Sequence, residues 1–232
     1  MAEIDIAHKE EELATPPWQI IDHDPAIDSL DELDSIIGPA YEKNKQFFGQ
    51  AVSGIKFYFL YTRDQMDALV KHKNKGWVVG LTTGLDTIIM FSPSVFGKVF
   101  PHPKSNFPPV LTHEVAHVFT AMLFSSKFPT WLMEGVAGYP AEQFKNRKVE
   151  TARTLNFSQI HDYEGWSQTS KDNYSPSFLF TQYLIEHYGK NKLFELLSSL
   201  EQKEPYPTFI EKFAQVYRTD LEACQKEWLE LL

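Results

Sequence analysis

The chain has 232 residues, 43% of them hydrophobic, and its 31 acidic against 22 basic side chains give a formal net charge of −9. That length supports one substantial core or two small lobes, and an acidic balance without a dense run of lysine and arginine excludes nucleic acid as a partner. The single cysteine, Cys224, excludes an internal disulfide and falls on an apolar helical stripe that would bury it; no stretch approaches the roughly eighteen apolar residues of a membrane span.

Residues 1–24 read as an acidic, partly flexible head without the basic and apolar runs of a leader. As written the chain reads as soluble and cytoplasmic, or as periplasmic or secreted if a signal or anchor belongs to it. Residues 25–125 alternate a helical stretch (Pro25 to Phe48), a strand (Ile55 to Tyr61), a helix (Arg63 to Lys73), and strand-like sequence at Trp77 to Leu81 and Thr87 to Phe91. That alternation predicts an α+β lobe with a small mixed sheet. The next element, about 108 to 125, carries Val110, Leu111, Val115, Val118, Phe119 and Met122 at helical spacing. Pro108 and Pro109 fit only a first turn, so it reads as an amphipathic helix with a polar face of His113, Glu114 and His117. Residues 126–232 read as a helical lobe. Its first helix, 130 to 143, has Thr130 as candidate N-cap, and Gly135, Ala137 and Gly138 are small enough for close packing on the preceding helix. Residues 143 to 173 hold mixed charge, His161-Asp162-Tyr163, Gly165 and Trp166, and read as a loop. After Tyr174 the leucine and aromatic stripes are helical core.

The pentapeptide His113-Glu114-Val115-Ala116-His117 is the chemically informative string. Histidines at i and i+4 lie on one helix face and can reach one metal ion. Glu134 stands seventeen residues beyond His117 in an otherwise apolar stretch. A carboxylate buried there needs a compensating partner, and a cation is one of few. Three protein ligands leave the fourth position of tetrahedral Zn2+ open, which marks a catalytic site. Glu142, beyond Pro140, is the rival ligand, with a solvated surface charge as its plainer reading. His102, His161 and His187 read as ordinary, with His187 the best placed for a contact behind a ligand.

These residues resemble the gluzincin metallopeptidases, the clan of thermolysin and aminopeptidase N. The nearest likeness is to small bacterial members with a Pro-x-Trp-Leu-x-Glu-Gly string, here Pro129-Thr130-Trp131-Leu132-Met133-Glu134-Gly135. The resemblance covers about residues 76 to 232 and implies a zincin-like fold with the zinc helix joining an α+β lobe to a helical lobe. It implies one Zn2+ per chain on His113, His117 and Glu134, with Glu114 as general base and acid and a peptide or protein as substrate. Asn173-Tyr174-Ser175-Pro176 looks like the start of the helix whose leading tyrosine steadies the oxyanion, which makes Tyr174 the matching position. In the family the strand before the zinc helix is a sheet edge that pairs with substrate. Here Leu85 to Phe91 is that candidate, with Gly80-Leu81-Thr82-Thr83-Gly84 as the turn before it and an ordinary internal strand as the alternative. No Gly-Ala-Met-Glu-Asn-like string precedes the zinc helix, so an endopeptidase fits better than an aminopeptidase. A zinc-binding module without catalysis and a metal hydrolase for another substrate stay open.

Overall fold

The computed structural model describes residues 16–70, 78–98, 103–124, 129–147, 156–162, 164–166 and 173–232. The expected head up to residue 15, the end of the second predicted helix and Trp77, His102, Tyr163 and most of the 148–172 loop lie outside the described residues. Among the described residues the chain is α+β. A four-stranded mixed sheet is followed by helices, as the sequence reading expects.

The sheet runs in the order β1 (Trp18–Asp22), β2 (Ile55–Leu60), β4 (Thr87–Phe91), β3 (Gly80–Thr83). The first three are parallel and β3 is antiparallel to β4. Strand β1, which the sequence reading does not single out, pairs with β2 through Trp18, Gln19 and Ile20. Between them α1 (Leu30–Phe48) starts five residues later than expected. A capping box fixes that start: Glu32 N–H donates to Ser29 Oγ and Ser29 N–H donates to the Glu32 carboxylate. Gly49, at φ 75°, ends the helix in the left-handed conformation.

Strand β4 corrects one expectation. Ile88 to Phe91 are all buried, because β4 has neighbours on both sides and a layer packed over it, the pattern of an internal strand. The edge is β3. What reads as a turn at Gly80 to Gly84 is that edge strand, with the hairpin turn at Gly84-Leu85-Asp86 and Gly84 at φ 64°.

Helix α3 (Phe107–Phe124) is more fully buried than the amphipathic helix expected. Residues Leu111 to Ala116 and Val118 to Ala121 are all buried, since α1, β3, β4 and the following helix α4 (Thr130–Gly138) surround it. Asn44 Nδ2 on α1 donates to Thr112 O at 3.0 Å, and Phe48 stacks on Phe119 at 5.4 Å. Helix α4 ends five residues early, before a turn at 139–142, and Pro129 rather than Thr130 stands at its N-cap; the Thr130 N–H is taken by His161 O at 2.8 Å. Its glycines do not face α3 as expected. A Cβ on Gly135 would lie 1.9 Å from Thr181 Oγ1 and one on Gly138 2.4 Å from the Phe178 ring, so both let α5 (Tyr174–Tyr188) approach α4 closely.

Helices α6 (Lys190–Ser199), α7 (Tyr206–Tyr217) and α8 (Leu221–Glu230) complete the helical part. Their stripes are core, as read, and the buried apolar cluster continues from Leu33 on α1 to Trp228 on α8. Cys224 is buried within it.

Candidate metal centre

Two imidazoles rise from successive turns of α3 and a carboxylate meets them from α4. His113 Nε2 lies 3.0 Å from His117 Nε2 and 3.1 Å from Glu134 Oε2, and His117 Nε2 lies 3.7 Å from the same oxygen. Ligands at 2.0–2.1 Å around a tetrahedral zinc stand about 3.3 Å apart, so the three donor atoms already occupy one face of such a tetrahedron. Among the described residues no other three His, Cys, Asp or Glu side chains converge in this way. The donor set also suits the ion, since two neutral imidazoles and one carboxylate are ordinary zinc ligands and leave a position open. Of the two acids weighed for the third place, only Glu134 is there. Glu142 is exposed, in the left-handed region at φ 55°, and pairs with Lys145.

Electrostatics follow from this proximity. Burial alone would raise the Glu134 carboxyl, but the two imidazoles outweigh it and hold the group at about 2. Burial works against charge on His117, and Glu134 overrides it to raise that imidazole. A carboxylate that is ionised throughout the neutral range needs no deprotonation to take a cation.

Glu114 points from the same turn of α3 toward β3. Burial pushes its carboxyl up, while His117 and His113 pull the other way. The Thr82 hydroxyl stands 3.1 Å from Glu114 Oε2 and 3.1 Å from Glu114 O and has one proton to give to either. A Cβ on Gly80 would lie 3.0 Å from Glu114 Cγ and 3.1 Å from Oε1, so the bare backbone at Gly80 makes the room that Glu114 occupies. The ladder places these two residues further. Phe91 N–H donates to Val79 O at 3.1 Å, so Val79, Leu81 and Thr83 turn their backbone groups to β4. Gly80 and Thr82 therefore turn theirs to the outer edge, where no described strand pairs with β3.

Tyr174 opens α5, half-buried, with its ring 5.0 Å from Trp166 and 5.8 Å from Phe178. Phe178 in turn stands edge-on to His113 at 6.0 Å. The tyrosine is thus one ring removed from the histidine. Of the other histidines weighed, the two among the described residues are elsewhere: His161 Nε2 donates to Glu204 O at 2.6 Å, and His187 is exposed beside Glu227. Sequence reasoning gave Phe178 no role and placed Gly80 and Thr82 in a turn. The alternation Gly80-x-Thr82 ahead of a turn glycine was the available signal for β3; nothing in the string marks Phe178.

A family model, the peptidase MA superfamily, matches residues 50–232. The chain belongs to the peptidase MA superfamily. No protein of curated function matches it significantly. Membership points to a hydrolase of peptides, and to a superfamily that is typically metal-dependent, with His113, His117 and Glu134 as a candidate metal site.

Proposed function

We propose that this protein is a zinc-dependent peptidase of the gluzincin type, an endopeptidase rather than an aminopeptidase. His113, His117 and Glu134 hold the ion, Glu114 is general base and then acid, and Tyr174 is the oxyanion donor. The observation that carries the reading is the convergence of the three donor atoms, 3.0 to 3.7 Å apart, beside a buried Glu114 on the same turn. When bound, zinc supplies a Lewis acid for the scissile carbonyl and lowers the pKa of a water to about 7.

The remaining steps belong to side chains and backbone. An extended substrate pairs with the outward N–H and C=O groups of Gly80 and Thr82, which align its carbonyl with Glu114. Glu114 takes a proton from the attacking water and returns it to the leaving amine, a double duty that a carboxyl raised by burial performs better than an exposed one. The Tyr174 phenol donates to the oxygen on which charge collects, a contribution of about 3 kcal/mol in comparable sites. The endopeptidase reading draws on β3, whose residues offer no acid for a substrate amino terminus, while the hairpin acid Asp86 is engaged by Lys56 and Thr87. A module that only binds zinc would have no use for Glu114 packed on Gly80 and Thr82.

The test is cleavage of an unfolded protein such as casein by the zinc-loaded chain beside Glu114→Gln. Cutting by the wild type that Glu114→Gln abolishes while keeping its zinc supports the reading. Undiminished cutting by Glu114→Gln defeats the mechanism.

A further inference from the structure

Among the described residues, Arg147 stands beside this site without an anionic partner. The Arg147 guanidinium lies over the Phe178 ring at 4.8 Å, and that ring is 6.0 Å from His113, which places the guanidinium carbon within about 11 Å of the His113 ring. Its Nε–H donates to Gln143 O at 3.0 Å, and no carboxylate pairs with it among the described residues. A guanidinium has five N–H donors in a fork, so the four on Nη1 and Nη2 are without a partner among the described residues. Arg147 is exposed to solvent, so its fork is accessible to a ligand. Desolvation lowers its pKa, and the group it acts on electrostatically is Tyr174. The aromatic face fixes the plane of the fork and leaves its donor side for a ligand.

We propose that Arg147 is a specificity residue that binds a substrate carboxylate, and that the protein acts on peptides carrying an acidic side chain or a free carboxy terminus near the bond cut. The inference rests on the peptidase reading above and gives it a substrate class. An extended chain advances about 3.3–3.6 Å per residue, so a carboxylate held by this fork belongs to a residue within about three positions of the scissile bond.

The test uses fluorogenic peptides in which Glu replaces Gln at each of three positions on either side of the cut, with a pair ending in carboxylate or carboxamide. Cleavage is followed with zinc-loaded wild type and binding with Glu114→Gln, by anisotropy, each with and without change at Arg147. The expected result is a preference of about tenfold for a carboxylate at one position, in kcat/KM and in affinity. Side-chain and terminal sources are told apart by which peptides show it. In Arg147→Gln the ratio falls to within about twofold of one, and in Arg147→Glu lysine is preferred at that position, a gain that misfolding cannot imitate. No carboxylate preference in the wild type, or one that survives in Arg147→Gln, overturns the proposal. Binding with the Arg147-dependent preference but no cleavage by wild type would defeat the peptidase reading and leave this one standing; cleavage without preference would do the reverse.

Discussion

Glu114 is held from the sheet side by two small choices, a glycine that yields space and a threonine that gives a proton. A side chain at Gly80 would meet Glu114 at 3.0–3.2 Å. We therefore expect Gly80→Val to lower kcat by at least about tenfold while zinc stays bound, because the ligands are untouched and a misplacement of the base on the order of 1 Å is costly. Thr82→Ala should lower kcat several-fold with little change in KM, and Thr82→Ser should restore it; steady-state kinetics check both. The candidate ligands were legible because their chemistry is local: His113 and His117 share a helix face by spacing alone. Glu134 was legible because an acid in an apolar string needs a cation. The contacts of Glu114 with Gly80 and Thr82 join residues more than thirty apart, and only the sheet register brings them together.

At the scale of elements, α4 is the piece on which the proposed third ligand depends, and its seat is set by glycines. A Cβ at Gly135 would come within 2.7 Å of Ser177 O, which is backbone and cannot swing away. Gly135→Ala is expected to destabilise the protein by about 1–3 kcal/mol in chemical denaturation and to weaken zinc retention with it, since separating α4 from α5 moves Glu134. A stability within a few tenths of a kcal/mol of wild type would show that the helices part freely. Periodicity identified most of these elements, yet it could not say which neighbour the small residues face. The smallness of Gly135 and Gly138 was visible; that they meet Thr181 and Phe178 depends on the fold. The same limit explains β4 and β3. Thr87 to Phe91 reads as a strand from composition, whereas its internal place follows from pairing with β2 on one side and β3 on the other.

For the molecule as a whole, one buried cluster links the sheet to the last helix, so the stability of the helical part is felt at the site. Glu204, between α6 and α7, ties that part together. Its carboxylate accepts from Lys212 and from Glu201 N–H, and its carbonyl accepts from His161. Burial alone would raise its pKa, but these partners lower it below the usual 4.5. Because the folded value is depressed, the stabilisation is complete above the unfolded carboxylate range and lost as pH falls through the folded value. Thermal unfolding midpoints should drop below about pH 4.5, and Glu204→Gln should flatten that part of the curve; an unchanged slope would assign the acid sensitivity to other groups. No helix among the described residues is long and apolar enough to cross a membrane. The proposed activity stands or falls on whether His113, His117 and Glu134 take a metal together, and elemental analysis of the purified protein beside His113→Ala measures that directly. The account predicts about one zinc per chain in the wild type and none retained by the variant. No zinc in either after reconstitution, or equal zinc in both, would contradict it.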